Sequence, residues 1–568
     1  MRNPVLMFGA ALCVVVAMSG ALAESLNGKW HYIVDVQGLG YERSFSSNRH
    51  GHPSELIEYD FSKEPTMDVP GDWNTQDERL FFYEGLVWFE RDFEWKKTPG
   101  MRSLLTFDGV SLGARVWMNG KNVGRHEGGF TPFTLDVTDA VVDGSNFIVV
   151  AVDNVRRGDR IPTTSFDWWN YGGIIRDVTL EERPVLRVDE WSVGLDGVRI
   201  RLNEPKAGVP VSARVPALGF GASGETDAEG VFAAEFTASP ELWSPESPKL
   251  YEVEVEGCGE RFFDMVGFRT IATEGKKILL NGKPVFLKGV CVHDEPIGRN
   301  GRVRTDAEAE ALVKTAKDLG CNFLRLAHYP HDRRTVRAAE RLGLLVWSEI
   351  PLYWNIAWGN GKTFENAKSQ LREMIRRDRN RANVIIWSLA NETVRSPARD
   401  KFLRNLAAEA RSLDSTRLIS LAMEVTGHSN YTNRLDDSLH DIVDVVSFNE
   451  YIGWYRDVGA ADKMSWVIPY DKPVIVSEFG GGAVAGRHGD SRHRFTEENQ
   501  AEIYRANLRM LERIDGLAGT TPWILKDFLS PRRPLAGTQD MHNRKGLVDE
   551  NGVRKAAFDV LKEWYSSR

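Results

Sequence analysis

The hydrophobic rhythm of the chain changes twice. From Ser25 to about Glu182, short runs such as GLVWFERDFEW, RSLLTFDGVSLGARVWMNG and NFIVVAVDN alternate apolar and polar residues, the period of a half-buried strand. Turn residues, among them Asn119-Gly120 and Asp143-Gly144, punctuate these runs, and no convincing amphipathic helix interrupts them. This pattern predicts an all-β sandwich. Pro184 opens a second stretch that continues to about Ala272, with strands such as VFAAEFTA and LYEVEVEG. Its length of roughly 90 residues suits an immunoglobulin-like sandwich.

After Thr273, continuously apolar runs begin to alternate with helical stretches. PVFLKGVCVH is followed by DAEAEALVKTAKDLG, then CNFLRLAH, DRRTVRAAERLG and LLVWSEI. VIIWSLANE, LISLAME, DVVSFNEY, PVIVSEFG and LAGTTPWILKDF bring the strand candidates to eight. Apolar strands flanked by helices read as a parallel sheet buried on both faces, and eight such units predict a (β/α)8 TIM barrel. The expected organisation is therefore a signal segment 1–23, an all-β sandwich 24–183, an immunoglobulin-like sandwich 184–272 and a TIM barrel 273–568.

The first 23 residues add a compartment. Arg2 supplies a positive start, Val5 to Met18 an apolar core, and Ala21-Leu22-Ala23 a small-residue cleavage site before Glu24. The apolar stretch is short for a membrane span, so removal and export to the periplasm or beyond are expected, with no membrane attachment afterwards. Of the four cysteines, Cys13 leaves with this segment. Cys258, Cys291 and Cys321 remain, an odd number that points to buried thiols rather than a disulfide framework.

Charge excludes one class of partner. The net charge is -8 and no basic stripe appears, so nucleic acid is not expected. The 17 Trp, 27 Phe and 14 Tyr serve large cores first, yet flat rings also suit the apolar faces of pyranose sugars.

The chemistry concentrates where the eight strands end, the face of a TIM barrel that carries active sites. His293-Asp294, Arg325, His328, Glu349, Asn391-Glu392, Glu424, Asn449 to Tyr451, Glu478, Trp523 and Asp527 all fall at such ends. Glycoside cleavage needs one carboxylic acid to protonate the leaving oxygen and a second carboxylate near the anomeric carbon. In retaining enzymes the pair is about 5–5.5 Å apart. Glu392 and Glu478, from the fourth and seventh strands, are the candidates, with Asn391 placed for a sugar 2-hydroxyl. Spacing alone does not say which glutamate is acid and which is nucleophile.

Long motifs in order settle this by resemblance. VPGDWN (Val69–Asn74), YEGLVWFERDF (Tyr83–Phe93), VWMNGKNVGRHEGGFTPF (Val116–Phe133) and DWWNYGGIIRDV (Asp167–Val178) lie in the first stretch. FLKGVCVHDE, NFLRLAHYPHD, IIWSLANE and VIVSEFG lie in the barrel. Over nearly its whole mature length the chain resembles glycoside hydrolase family 2. The resemblance implies a jelly-roll fold for the sandwich 24–183, a catalytic role for the barrel 273–568, Glu392 as acid/base and Glu478 as nucleophile; acid, nucleophile and hydrogen bonds suffice for this reaction, so no metal or organic cofactor is expected.

Within that family the chain looks most like the β-glucuronidase branch. Asn543 and Lys545, in HNRKGLVDENG, match a motif that contacts the sugar C6 carboxylate there. Tyr451, Trp454 and Tyr455 match site aromatics, Asp167 an aspartate reaching in from the N-terminal domain, and His328 a site histidine. Asn449 and Trp523 complete the expected binding set. The implied reaction is removal of terminal β-D-glucuronic acid or another uronic acid from a glycan, and the implied partners are the carbohydrate and, as in many relatives, further copies of the chain. Three features depart from the branch. Glu450 stands where a basic residue is usual, HDE replaces a His-Glu-Asp order, and although DFLSPRRPLAGTQDMHNRKG offers Arg532 and Arg533, the arginine that the branch places closer to the Asn-x-Lys motif is not obvious. A neutral-sugar hydrolase such as a β-galactosidase is the alternative reading, and a non-catalytic carbohydrate-binding protein a more distant one.

Overall fold

The computed structural model describes residues 23–47, 49, 57–429 and 431–568; the signal segment, apart from Ala23, lies outside them. A six-stranded antiparallel sheet runs Thr66–Val69, Gly28–Asp35, Leu86–Trp95, Gly144–Asp153, Gly113–Met118, Lys121–Glu127 in spatial order. A four-stranded sheet, Ala23–Ser25, Val178–Pro184, Met101–Phe107, Phe133–Asp136, faces it. Alternate residues of both, including Trp30, Phe89, Val116, Val150 and Leu180, form the shared core, the inward half of the period-two pattern. Asn119 (φ 51°) and Gly120 (φ 76°) close the hairpin between Gly113–Met118 and Lys121–Glu127, both in the left-handed region that a two-residue hairpin turn demands. One helical turn, Trp73–Gln76, capped by the Asp72 side chain, interrupts this otherwise all-β unit. Four residues are too few for a helical period to show in the sequence.

A smaller sandwich follows. Val188–Gly194, Gly197–Leu202 and Val231–Ala234 form one sheet, and Phe220–Glu225, Pro210–Val215, Tyr251–Gly257 and Glu260–Val266 the other. The third unit is a closed parallel barrel of eight strands: β1 (Leu287–Val292), β2 (Phe323–Leu326), β3 (Leu345–Glu349), β4 (Val384–Asn391), β5 (Leu418–Met423), β6 (Val446–Asn449), β7 (Val474–Glu478) and β8 (Leu517–Thr520). Every residue of β2 to β7 is buried. Both faces are covered, one by barrel interior and one by helices, so these strands read as apolar runs instead of alternating. The first barrel helix, Asp306–Asp318, starts at a reciprocal capping box between Thr305 and Glu308. Cys291 and Cys321 are buried free thiols, while Cys258, expected to be buried, is only half-buried.

The first sandwich is docked on the barrel mouth. Arg176 leaves the sandwich, donates to the Asp294 carboxylate at 3.1 Å and to the Pro330 carbonyl at 2.7 Å, and is 2% exposed. Its other arm donates to the Phe130 carbonyl, and Phe130 stacks on Tyr329 of the barrel at 4.1 Å. Removing one partner of such a pair strands the other charge in a low-dielectric interior. Arg176→Ala is expected to cost about 3–5 kcal/mol, read as a lowered midpoint in urea unfolding.

Candidate active site

The floor of the barrel mouth is organised by one guanidinium. Arg325, at the end of β2 and fully buried, donates to Glu478 Oε1 at 2.8 Å, to Asn391 Oδ1 at 2.7 Å, and to both oxygens of Glu349 at 3.1 and 3.3 Å. The second oxygen of Glu478 accepts from the Tyr451 hydroxyl at 2.6 Å. Glu349 also receives His328 Nδ1 at 2.8 Å and the Trp347 indole at 2.8 Å. Burial alone would raise the Glu349 carboxyl, but Arg325, with His328 and Trp347, outweighs it and holds the group down at about 2. His328 in turn stacks on Trp523, ring centroids 4.9 Å apart. The ends of β2, β3, β4, β6 and β7 thus meet in one hydrogen-bonded floor, on which Trp523, just past β8, stacks.

Glu392 follows β4 directly and adopts φ 48°, left-handed for a residue with a side chain. Such a conformation costs about 1–2 kcal/mol and persists where the surroundings over-determine it. Here Glu392 N donates to the Ala422 carbonyl, and its Oε2 accepts the Trp354 indole N–H at 2.8 Å. Its pKa is raised, first by burial and then by the negative charge of Glu478. The Trp354 and Asn449 donors oppose the shift. Asn391 points its carbonyl oxygen to Arg325 and Asn449, and its buried amide nitrogen has no partner among the described residues, a free donor at the site.

The opposite side of the mouth is cationic. Lys545 Nζ lies 5.1 Å from the Tyr451 ring, 5.5 Å from Trp454 and 5.3 Å from Tyr455, and donates to the Tyr455 hydroxyl at 3.3 Å. Burial, then Arg533, pushes its pKa down to about 7. Asn543 accepts from Lys545 N at 3.2 Å and keeps a buried amide nitrogen with no partner among the described residues. Asp167 arrives from the N-terminal sandwich and pairs with Arg533 and, at 2.5 Å, with Ser530. Arg533 therefore reaches the site from a long loop, although its distance from Asn543 in sequence gave no sign of it. A cavity of about 480 Å³ opens beside Glu392, lined by Trp354, Val394, Met423, Asn449, Glu450 and Tyr455 among others. Glu450, the residue out of place for the branch, is buried there. Its Oε2 accepts the Ile452 N–H at 2.8 Å, and burial raises its pKa to about 8, so it is predominantly uncharged at neutral pH.

Two family profiles match the chain. "Glycosyl hydrolases family 2, sugar binding domain" covers residues 23–184, and "Glycosyl hydrolases family 2, TIM barrel domain" covers residues 271–511. The chain belongs to glycoside hydrolase family 2. It is a glycoside hydrolase. It is similar to a β-glucuronidase of Paenibacillus borealis, 28% identical, over 95% of this chain and 96% of that one. Among solved structures, an uncultured Clostridium β-glucuronidase superposes with TM-score 0.83 at 27% identity, covering 98% of this chain and all of that one. A galacturonate-bound family 2 β-galacturonidase from Eisenbergiella tayi gives TM-score 0.81 at 25% identity over 96% and 98%.

Among the strand-end residues, Asp294 is taken up by Arg176 and Asp527 by Lys555 and Arg544, whereas the structure brings Glu392, Glu478, Asn391, Asn449, Tyr451, Trp454, Tyr455, His328, Trp523, Asn543, Lys545 and Asp167 together at this family 2 barrel mouth. Two residues in contact with them carried no usable signal. Trp354 lies five residues past the end of β3, in a loop that does not mark itself as a site. Trp168 packs against Tyr353, centroids 5.1 Å apart, and against His328 at 5.7 Å; in sequence it is one of two adjacent tryptophans, and the choice between core and wall needs the docked sandwich.

Proposed function

We infer that this family 2 enzyme is an exo-acting, retaining β-glucuronidase that removes terminal β-D-glucuronic acid from oligosaccharides or glycoconjugates. One observation carries the reading: Lys545 is 4% exposed, yet among the described residues it makes no ion pair. An ammonium stripped of water and left without a counter-charge costs several kcal/mol. The C6 carboxylate of a uronic acid supplies the missing charge, and the free amide of Asn543 adds a directed donor. A neutral sugar would leave Lys545 uncompensated. The similarity to the Paenibacillus and Clostridium β-glucuronidases supports the same reading. Galacturonate differs from glucuronate at C4 and carries the same carboxylate, so the two acids are separated by assay.

In the proposed cycle, Glu392 gives its proton to the glycosidic oxygen while Glu478, aimed by Arg325 and Tyr451, attacks the anomeric carbon. The carbon–oxygen bond to the leaving group breaks and a glycosyl ester forms on Glu478. Esterification removes the Glu478 charge and with it one cause of the raised Glu392 pKa. Glu392 is then the better base to deprotonate the water that releases the sugar. We also propose that the enzyme acts outside the cytoplasm, on the strength of the cationic start, apolar core and Ala21-Leu22-Ala23 of its first residues.

Four outcomes are expected. Across p-nitrophenyl β-glycosides, the glucuronide should be the preferred substrate over galacturonide, galactoside, glucoside and mannoside. Lys545→Met should lower kcat/KM on the glucuronide about 100-fold or more, whereas a neutral-sugar enzyme would lose little. Glu478→Ala should abolish turnover, and a residual rate within about tenfold of wild type would remove it from the nucleophile role. Because only the ammonium form of Lys545 pairs with a carboxylate and burial holds its pKa near 7, glucuronate inhibition should weaken as pH rises through about 7. Lys545→Met should lose that dependence, which inhibition constants measured from pH 5.5 to 8.5 would show.

A further inference from the structure

Trp354 stands at the junction of two functions. Its indole N–H donates to Glu392 Oε2 at 2.8 Å, and its ring walls the cavity beside Glu392. The residue is fixed before any substrate arrives. Its φ of 56° is left-handed, its backbone N–H donates to the Asn391 carbonyl at 3.1 Å, and Asn391 N returns a bond to the Leu352 carbonyl at 2.8 Å. The N-terminal sandwich pins the same loop, Thr163 Oγ1 donating to the Asn355 carbonyl at 2.7 Å. Arg532, itself bonded to Ser165 of the sandwich at 3.0 Å, sits over the indole face at 4.9 Å.

We propose that Trp354 couples leaving-group binding to acid catalysis: its ring forms one wall of the leaving-group site, and its N–H holds the acid/base Glu392 so that Oε1 presents the proton to the glycosidic oxygen. The proposal rests on the assignment of Glu392 made above. The cavity suits a hydroxylated leaving group such as a second sugar, because the aromatic ring of Trp354 and the polar side chains of Asn449 and Glu450 line the same space of about 480 Å³.

The chemistry gives the indole a role in the barrier and not only in the ground state. As the bond to the leaving group breaks, its electron pair goes to the glycosidic oxygen, the Oε1–H bond breaks, and the proton moves to that oxygen. Glu392 becomes a carboxylate, and the Trp354 N–H, which stays on nitrogen, becomes a charge-assisted donor of roughly twice the strength. An interaction stronger in the transition state than before it accelerates the step. The same donor favours the ionised form of free Glu392, against burial and the charge of Glu478, while His328 acts in the same sense as the indole. Tyr353, Tyr451 and Tyr455 also face Glu392 electrostatically, and Glu424, Glu450 and Arg456 line the adjoining cavity. Asn449 donates to Glu392 in the same sense as the indole and stays in place in the variants below, so the test reads the loss of one of two donors.

Trp354→Phe keeps a ring and removes the N–H. With methyl β-glucuronide, whose alkoxide must be protonated to leave, kcat/KM is expected to fall about 10–100-fold. With 2,4-dinitrophenyl β-glucuronide, which leaves unprotonated, the fall should be at least several-fold smaller. The basic limb of the methyl glucuronide pH profile should move up by about half a unit or more, since a donor favouring the carboxylate is gone. Trp354→His, which can still donate an N–H, should recover part of the methyl glucuronide rate. Equal losses on both substrates, with an unmoved basic limb and no recovery by His, would reduce Trp354 to a packing residue and overturn the proposal. Melting curves establish that each variant is folded, and Trp354→Met takes the place of Phe if that variant is not. Glu392→Gln is run alongside. If it leaves the methyl glucuronide rate intact, the assignment of Glu392 has failed, whereas an intact Glu392 effect without a Trp354 effect sinks this inference alone.

Discussion

Arg325 places a permanent positive charge in the middle of the barrel, fully removed from water. A charge there is tolerated only if its partners are close, oriented and themselves hydrogen-bonded. Glu349, Glu478 and Asn391 meet that condition from three different strands. The requirement works in both directions, because the same bonds that pay for burying the guanidinium fix the Glu478 carboxylate and turn Asn391 so that its amide nitrogen is free. The backbone geometry of Glu392, immediately after Asn391, follows from that constraint. A rigid parallel barrel suits this arrangement because each strand end is held by two neighbours and by the packed interior below.

The barrel alone does not complete the site. The first sandwich contributes Asp167 and Trp168 to the mouth and seals its rim through Arg176, Phe130 and Thr163. Two left-handed residues, Trp354 and Glu392, sit directly beneath that rim. Strain of this kind survives where packing and hydrogen bonds on all sides leave no alternative. The docking of the two units therefore bears on the acid/base carboxyl as much as on overall stability.

Electrostatically the mouth is divided. Lys545 and Arg533 occupy one side; Asp167 pairs with Arg533 and, at longer range, also favours the charged form of Lys545, which makes no ion pair among the described residues. Glu392 and Glu450 occupy the other, both pushed toward the neutral form chiefly by burial. An anionic ring carbon substituent and a neutral hydroxylated leaving group fit these two sides without placing like charges together. Glu450 thus loses its apparent conflict with a uronate substrate, since near neutral pH it is mostly uncharged and does not share the Lys545 cage.

Much of this was legible in the linear order. Period-two alternation marked the sandwich strands, and unbroken apolar runs marked barrel strands covered on both faces. Because chemistry in a TIM barrel collects at strand ends, residues such as Glu392, Glu478 and Arg325 could be picked out from where each run stopped. Those signals are local, arising from a backbone that must bury one face, two faces or none. What the sequence could not carry was the meeting of segments far apart in the chain. Arg533 reaches Asp167 across 366 positions, Trp354 reaches Glu392 across 38, and Glu450 is neutralised by its surroundings instead of by its chemistry. Desolvation and hydrogen-bond geometry depend on everything packed around a group, so its charge state and its aim were decided only when the sandwich closed over the barrel.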